Sequence, residues 1–245
     1  MSKAIEMTGL SKKYRDKTAV KGNNFAIEEG TLFSLLGVNG AGKTTTIKML
    51  TGLTKPTGGE AYVCGHSILS ELDEIKKISS VSTQETAVAP NLTTRENLEF
   101  MAQVYGMDRA AAKKRTDDVL KQFGLDEAEH QRAGTLSGGW QRRLSIAMAM
   151  ISHPKVLYLD EPTLGLDVLA RMELWDVIRA MKGSITIVLT THYMEEAESL
   201  SDEVAVMVNG EIRALGTVEK LKEQTGKETL EDAFVAIATR QQGVR

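Results

Sequence analysis

The feature that most constrains the fold is a glycine-rich segment, Gly37–Thr44, which matches the pattern G-x-x-x-x-G-K-[ST]. The apolar run Leu32–Leu36 precedes it, and a helix is expected at about residues 43–51. Glycines let backbone N–H groups close around phosphate oxygens, and a helix start adds positive potential there. Lys43 would then bridge the terminal phosphates, and the Thr44 hydroxyl would ligate Mg²⁺. This context favours a nucleoside triphosphate site over the alternative, a glycine turn that only caps a helix.

An acidic pair follows a second apolar run. Val156–Leu159 is apolar throughout, as expected of a parallel strand covered on both faces, and Asp160 and Glu161 come next. In a protein with a phosphate loop, the first carboxylate orients the Mg²⁺ shell. The second lies near the terminal phosphate, where it can polarise water. The alternative is an Asp-Glu pair that caps a helix before Pro162.

A second glycine pair precedes an apolar helix expected at residues 144–151. Ser137 can cap this helix, and Gly138 and Gly139 would expose backbone N–H groups. The segment therefore indicates a second phosphate-binding helix start in the same chain. Seen alone, the same residues are typical of a flexible turn before a helix.

The rest of the chain alternates between strand and helix patterns and predicts an α/β fold with a mostly parallel sheet. Residues 3–36 are expected to form antiparallel strands with tight turns, and residues 85–153 a helix-rich insertion. In this insertion Thr93 and Glu96 fit a capping box. Gly124 fits the end of the following helix.

The second half of the chain resumes the strand–helix alternation. Asn209 and Gly210 predict a hairpin with a type I′ turn, and the tail from Val218 is expected to be helical and amphipathic. We therefore expect a nucleotide-binding core with an antiparallel β subdomain at residues 1–84 and 154–218, a helical subdomain at residues 85–153 that carries the second glycine pair, and a helical tail at residues 219–245.

Composition argues against several other classes. The formal net charge is -3, and the short basic run Lys113–Arg115 is typical of a solvated helix face, so no nucleic-acid partner is expected. The sequence holds one cysteine, Cys64, which excludes an internal disulfide and a cysteine-rich zinc site. No apolar stretch suits a signal peptide or reaches the roughly 18 residues that span a bilayer. Any membrane role is therefore expected to depend on a partner.

Taken in order, these motifs resemble the nucleotide-binding domain of the ATP-binding cassette (ABC) family over about residues 3–218. Leu136–Gly139 resembles the signature loop of the family, and it lies about twenty residues before the acidic strand end. Gly165–Asp167 resembles the D-loop. His192 follows an expected strand, as the switch histidine of the family does.

Two further positions complete the resemblance. Gln84 stands where the family has its Q-loop glutamine, although Thr83 precedes it in place of a frequent proline. Tyr14 stands where an aromatic ring stacks on adenine, and Trp140 replaces a frequent glutamine after the signature glycines. The resemblance implies catalytic roles for Glu161, His192 and Gln84, nucleotide contacts by Tyr14, Gly37, Asn39, Gly40, Ala41, Gly42, Lys43, Thr44, Thr45, Ser137, Gly138 and Gly139, and Mg²⁺ binding by Thr44, Gln84 and Asp160.

The resemblance implies an ATP-hydrolysing subunit of an ABC transporter. Asn91–Leu98, Glu161–Asp167 and Leu230–Phe234 resemble the ABC-2 type exporter ATPases, which export drugs, sodium, lipids or polysaccharides. The implied ligands are ATP and Mg²⁺. The implied partners are transmembrane permease subunits and a second ATPase subunit, either a copy or a homologue, with which ATP drives dimerisation. The chain would then lie in the cytoplasm, held on the inner face of the cell membrane by these partners.

Three alternatives belong to other functional classes. A non-transport ABC ATPase acting on DNA or ribosomes usually carries two cassettes or a long coiled-coil insertion, and this sequence has neither. A GTPase would need a guanine-reading Asn-Lys-x-Asp motif, which is absent, and a small-molecule kinase would not need the signature loop. A regulatory subunit without turnover would not need Glu161 and His192.

Overall fold

The computed structural model describes residues 2–239, which fall into two compact units. The first unit contains residues 2–76 and 182–239, and the second contains residues 77–181. The domain boundaries expected from the sequence stay a prediction. Residues 240–245 of the expected tail lie outside the described residues.

The strands and helices are numbered in chain order. The strands are β1 (Lys3–Tyr14), β2 (Lys17–Glu28), β3 (Leu32–Leu36), β4 (Gly58–Val63), β5 (His66–Ser67), β6 (Ser79–Ser82), β7 (Val156–Asp160), β8 (Thr186–Thr191), β9 (Glu203–Val208) and β10 (Glu211–Gly216). The helices are α1 (Lys43–Leu50), α2 (Leu72–Ile78), α3 (Thr94–Val104), α4 (Arg109–Gln122), α5 (Gly138–Met150), α6 (Val168–Met181), α7 (Met194–Leu200), α8 (Val218–Thr225) and α9 (Leu230–Thr239). Within residues 2–239, none of these helices combines the length and the apolar character needed to cross a bilayer.

The first unit begins with the predicted antiparallel sheet, in the strand order β2-β1-β4-β5. Ile5 and Met7 are buried on one face of β1, and Glu6 between them is exposed, which is the alternation of a half-buried strand. The register against β2 shifts between Met7 and Leu10, where Gly9 has a φ of 60°. This irregularity returns Leu10 to the buried face.

Strand β3 differs from the expectation for residues 3–36. The sequence predicts antiparallel pairing throughout that segment, whereas β3 pairs in parallel with both β8 and β9. All 5 residues of β3 are buried, because a strand in the middle of a parallel sheet is covered on both faces. The next pair, β9 and β10, forms the predicted hairpin: the strands are antiparallel, and Asn209 and Gly210 both have positive φ.

The helical tail predicted from Val218 onward packs on strands of the first unit. Leu221 of α8 and Phe234 and Ile237 of α9 share a buried cluster with Val206 of β9. The opposite faces of both helices are exposed. The amphipathic helices are therefore confirmed as far as residue 239.

The second unit contains the parallel pair β6–β7 and the helices α3 to α6. The capping box at the start of α3 is confirmed: the Glu96 N–H donates to Thr93 Oγ1 at 3.1 Å, and the Thr93 N–H donates to Glu96 Oε2 at 2.8 Å. Hydrogen bonds from the main-chain N–H of Thr93 and from its side chain to the Glu96 carboxylate lower the pKa of Glu96. The predicted stop of the next helix is also confirmed, because α4 ends at Gln122 and Gly124 has a φ of 57°.

Candidate functional site

The phosphate loop joins β3 to α1 and is closed by its own hydrogen bonds. The Ala41 N–H donates to the Val38 carbonyl oxygen at 3.1 Å. Lys43 reaches back to the start of the loop, where its Nζ donates to the carbonyl oxygens of Gly37 at 2.7 Å and Val38 at 3.2 Å. The lysine is only 4% exposed. The loop therefore holds a buried ammonium group at the position that the sequence assigns to the terminal phosphates.

The glycines of the loop are explained by different structural features. A Cβ on Gly37 would lie 2.4 Å from the Met207 carbonyl oxygen, and a Cβ on Gly42 would lie 2.5 Å from that of Ala19. Chain packing therefore requires both residues to be glycine. Gly40 differs, because its φ is 80° and a Cβ there would meet no described atom within 4 Å. Gly40 is thus a point of the loop that is open to a ligand.

The remaining loop residues lead into the first turn of α1. Asn39 is exposed, whereas Ala41 is buried and its carbonyl oxygen accepts from the Gly210 N–H at 2.8 Å. Thr44 and Thr45 are half-buried in the first turn. Among the described residues no side chain caps the start of α1. A helix start of this kind is a favourable place for an anion.

His192 follows β8 at the sheet edge where the phosphate loop begins. The Gly37 N–H donates to the Thr191 carbonyl oxygen at 3.1 Å, which ties the end of β8 to the first residue of the loop. The ring of His192 is half-buried, and its centroid lies 4.1 Å from that of the Tyr193 ring. The first unit thus brings His192 and Gly37 to the same sheet edge.

Tyr14 ends β1 at an exposed hairpin. Its side chain is 44% exposed, and Lys12 Nζ lies 4.8 Å from the ring centroid, in a cation–π contact. Tyr14 pairs with Lys17 at the start of β2. An aromatic face with this exposure is available for stacking on a base. Its assignment to adenine stays a prediction.

The second unit carries the acidic strand end and the Q-loop glutamine. Ser82 pairs with Leu159 in the parallel β6–β7 ladder, so Gln84 leaves β6 at the edge where Glu161 leaves β7. Asp160 is 4% and Glu161 8% exposed, whereas Gln84 is exposed. Glu161 also has a φ of 47°, a left-handed conformation that costs a residue other than glycine about 1–3 kcal/mol. Residues held in such conformations are concentrated at functional sites.

A buried cation, Arg142 of α5, was missed by the sequence reasoning. Its Nε donates to the Pro162 carbonyl oxygen at 2.8 Å, and its Nη2 donates to that of Asp160 at 3.0 Å. Its Nη1 donates to the carbonyl oxygens of Thr83 and Gln84, the latter at 3.3 Å. Arg142 is 3% exposed. One guanidinium group therefore joins the main chain of the Q-loop to that of the acidic turn.

The signature loop forms the start of α5. Ser137 is the N-cap, as predicted, and its Oγ accepts from the Trp140 N–H at 3.4 Å. A Cβ on Gly139 would lie 2.9 Å from the Ala170 Cβ of α6, so packing explains that glycine. A Cβ on Gly138 would meet no described atom within 4 Å, and its φ lies outside the left-handed range. Neither packing nor backbone conformation explains why residue 138 is glycine.

The donor atoms of the candidate Mg²⁺ ligands suit that ion. Thr44 offers a hydroxyl, Asp160 a carboxylate and Gln84 an amide oxygen, and Mg²⁺ prefers oxygen ligands. In nucleotide sites Mg²⁺ is usually bound through one or two carboxylates together with substrate phosphates. Within the described part of the chain, no group of 3 or more His, Cys, Asp and Glu residues could hold a metal ion.

Comparison with known sequences identifies relatives over most of the chain. The family model described as ABC transporter matches residues 20–164, more than half of the sequence. The daunorubicin/doxorubicin resistance ATP-binding protein DrrA of Streptomyces peucetius is 41% identical over 230 residues. The match covers 94% of this chain and 70% of DrrA. These findings confirm the resemblance to the ABC family and to its exporter ATPases.

Comparison with solved structures gives the same fold. A structure described as the ATP binding subunit of an ABC transporter has a TM-score of 0.83 and 28% identity, and covers 96% of this chain and 99% of that chain. A dimeric post-hydrolysis state of the ATP-binding cassette MJ0796, bound to ADP and Pi, has a TM-score of 0.78 and 26% identity, with 87% and 98% covered. The non-transport ATPase and the unrelated P-loop enzyme are not favoured by these matches. The chain belongs to the ABC transporter family, as an ATP-binding subunit that hydrolyses ATP.

Proposed function

We propose that this subunit drives export through separate transmembrane subunits, and that ATP is bound between two ATPase subunits. The observation that carries the shared site is Gly138. Glycine costs a helix up to about 1 kcal/mol relative to alanine, and nothing within 4 Å of a Cβ in the described chain requires glycine at this position. A phosphate group from outside the chain would require it, because a Cβ would keep the phosphate from the exposed N–H groups.

Two groups of residues have separate roles in this proposal. Gly37–Thr45 bind the phosphates of one ATP, with Lys43 neutralising their charge and Tyr14 stacking on adenine. Ser137, Gly138 and Gly139 bind the terminal phosphate of the ATP held by the partner subunit. The dimeric state described for MJ0796 supports a dimer here, formed with a copy of this chain or with a homologue.

The hydrolytic step is assigned to residues around the terminal phosphate. Phosphoryl transfer depends on positioning and charge neutralisation more than on covalent chemistry. Glu161 acts as the base that orients and polarises the attacking water, and His192 and Gln84 position the terminal phosphate. Thr44, Gln84 and Asp160 would hold Mg²⁺, which, when bound, neutralises charge on the phosphate oxygens.

A helical subdomain at residues 85–153 is proposed to connect the site to the membrane subunits. Three exposed apolar residues lie in the second half of α3 and directly after it: Phe100 is 55%, Val104 61% and Tyr105 42% exposed. Phe100 and Val104 are four residues apart and so lie on one face of the helix, and contiguous exposed apolar groups mark interaction surfaces. We assign this surface to a short cytoplasmic helix of a membrane subunit, which would hold the chain on the inner face of the cell membrane. The drug resistance in the name of DrrA supports export as the direction.

Glu161→Gln tests the proposal. The variant should bind ATP and lose at least about 100-fold in turnover, because an amide cannot act as the base for water. With ATP and Mg²⁺ it should elute from size exclusion as a stable dimer. Lys43→Ala is the control, expected to bind ATP poorly and to remain monomeric. Normal turnover by Glu161→Gln would remove Glu161 from its role, and an ATP-saturated monomer would contradict the shared site.

A further inference from the structure

We propose that Arg142 is a positioning residue for ATP hydrolysis, which fixes the main chain on both sides of Glu161 and so determines where its carboxylate points. This role rests on the function proposed above for Glu161. Arg142 would touch neither ATP nor water, and would act through the backbone of the residues that do.

Two carbonyl groups flank Glu161, and both accept hydrogen bonds from Arg142. The carbonyl oxygen of Asp160 precedes Glu161 and accepts from Arg142 Nη2 at 3.0 Å, and that of Pro162 follows it and accepts from Nε at 2.8 Å. Both nitrogens belong to one rigid, planar guanidinium group. A rotation about the backbone of Glu161 would move one carbonyl relative to the other and break at least one of these hydrogen bonds.

The backbone that the Arg142 hydrogen bonds hold, here called the Arg142 clamp, has an unfavourable conformation. Glu161 has a φ of 47°, which is unfavourable for a residue with a side chain. Such a conformation persists only where several contacts with the surrounding structure hold it in place. The guanidinium group of Arg142 supplies two of these contacts. Its loss should let Glu161 adopt a more favourable φ and turn its carboxylate away from the attacking water.

The same side chain also contacts the Q-loop. Arg142 Nη1 donates to the carbonyl oxygens of Thr83 and Gln84. One guanidinium group therefore contacts both Gln84, which is proposed to position the terminal phosphate, and the turn that carries the proposed base. Because the group is planar and 3% exposed, a shift of the Gln84 backbone would be passed to the turn at Glu161. Arg142 thus couples the Q-loop to the hydrolytic carboxylate.

Arg142→Lys is the most specific substitution at this position, and the neighbouring Arg143 provides a matched control. Lysine keeps the charge but lacks the planar fork, so it cannot reproduce donation to carbonyls on both sides of Glu161. Arg143, the next residue of α5, has different partners: its Nη2 lies 2.7 Å from Glu173 Oε2, and its guanidinium carbon lies 5.2 Å from the Trp140 ring centroid. Arg143→Lys therefore makes the same chemical change next to the clamp.

The test compares ATP turnover and ATP binding of the full chain in the wild type, Arg142→Lys and Arg143→Lys. Arg142→Lys should lower kcat about 10- to 100-fold through misplacement of the base. Its ATP affinity and KM should stay within about twofold, because the phosphate loop is unchanged. Arg143→Lys should keep kcat within about twofold of the wild type. Turnover is divided by the number of ATP sites titrated by calorimetry, so that unfolded protein does not lower the measured kcat.

The outcomes distinguish a positioning role of Arg142 from a purely structural one. A purely structural role predicts fewer titrated ATP sites with an unchanged kcat per site, and that result would overturn the proposal. If Arg142→Lys does not fold, Arg142→Gln is measured in the same way; a wild-type kcat in Arg142→Gln, or failure of both variants to fold, also overturns it. Glu161→Gln, run in parallel, tests the base itself. If Glu161→Gln is inactive while Arg142→Lys is fully active, only the positioning role is lost.

Discussion

The two glycines that begin α5 show how residues of one motif can be constrained differently. Gly139 is required by the chain itself, because a Cβ would come within 2.9 Å of the Ala170 Cβ. Gly138 has open space where a Cβ would be. A substitution at each position therefore separates folding from the proposed contact with the ATP of the partner subunit.

Gly138→Ala should leave the free energy of unfolding unchanged or raise it by up to about 1 kcal/mol, because alanine is the better helix former. The same variant should lose ATP turnover and ATP-dependent dimerisation, since the added methyl group would occupy the proposed phosphate position. Urea unfolding and steady-state turnover measure the two effects. Gly139→Ala is the comparison and should lose about 1–3 kcal/mol of stability through overpacking. Normal turnover by a stable Gly138→Ala variant would contradict the shared site.

At the scale of residues, the sequence predicts roles where the signal is local and misses a role that depends on distant contacts. Lys43 and Ser137 could be assigned because each lies within a short motif next to a helix start. Arg142 was missed because two arginines, Arg142 and Arg143, precede the apolar segment that begins at Leu144, and the sequence does not show that Arg142 is the buried one. Its partners are backbone carbonyls of distant loops, and no side-chain pattern reveals these.

At the scale of elements, the β9–β10 hairpin supports the phosphate loop. The Gly210 N–H donates to the Ala41 carbonyl oxygen at 2.8 Å, and the Gly210 carbonyl oxygen accepts from the Lys21 N–H at 2.9 Å and from Asn23 Nδ2 at 3.0 Å. A Cβ on Gly210 would lie 2.8 Å from the Ala19 carbonyl oxygen. The turn therefore fits closely between β2 and the phosphate loop, and a substitution there should alter the affinity for ATP.

Gly210→Ala should weaken ATP binding roughly tenfold, which corresponds to about 1.4 kcal/mol, because the crowded turn would displace Ala41. Isothermal titration with ATP measures the effect. Gly226→Ala is the matched control: Gly226 also has a positive φ, 67° against 84° at Gly210, but a Cβ there would meet nothing within 4 Å. Both variants carry the cost of a left-handed alanine, whereas only Gly210→Ala disturbs the loop. Equal ATP affinity in the two variants would show that the hairpin does not support the site.

Elements with local signals were predicted, whereas strand pairing was not. The capping box at Thr93 and the turn at Asn209 are specified by neighbouring residues, and both were predicted correctly. Strand β3 was assigned to an antiparallel segment because it follows one in the chain. Its partner at Leu36 is Thr191, far away in the sequence. The continuous burial of Leu32–Leu36 reflects this central position, but an apolar run does not specify its partner.

At the scale of the whole molecule, the proposed export function requires a surface that binds the membrane subunits. The exposed residues Phe100, Val104 and Tyr105 lie in the second half of α3 and directly after it, in the second unit, which also carries Gln84 and Glu161. Burying such side chains against a partner contributes about 1.5–3 kcal/mol for each one fully covered. A charge placed among them would oppose docking, because its desolvation would not be compensated by a partner built for apolar contact.

Phe100→Asp should therefore prevent co-purification of the chain with its membrane subunits and should remove ATP-driven transport in reconstituted vesicles. The ATP turnover of the isolated chain should stay within about twofold, because surface changes away from buried features usually alter stability by only about 0.5 kcal/mol. Val235→Asp on α9 is the control, since Val235 is 53% exposed, close to the 55% of Phe100. If both variants co-purify equally with the membrane subunits, this end of α3 is not the docking surface. If Phe100→Asp also loses turnover in isolation, the surface serves the ATPase site and not only the partner.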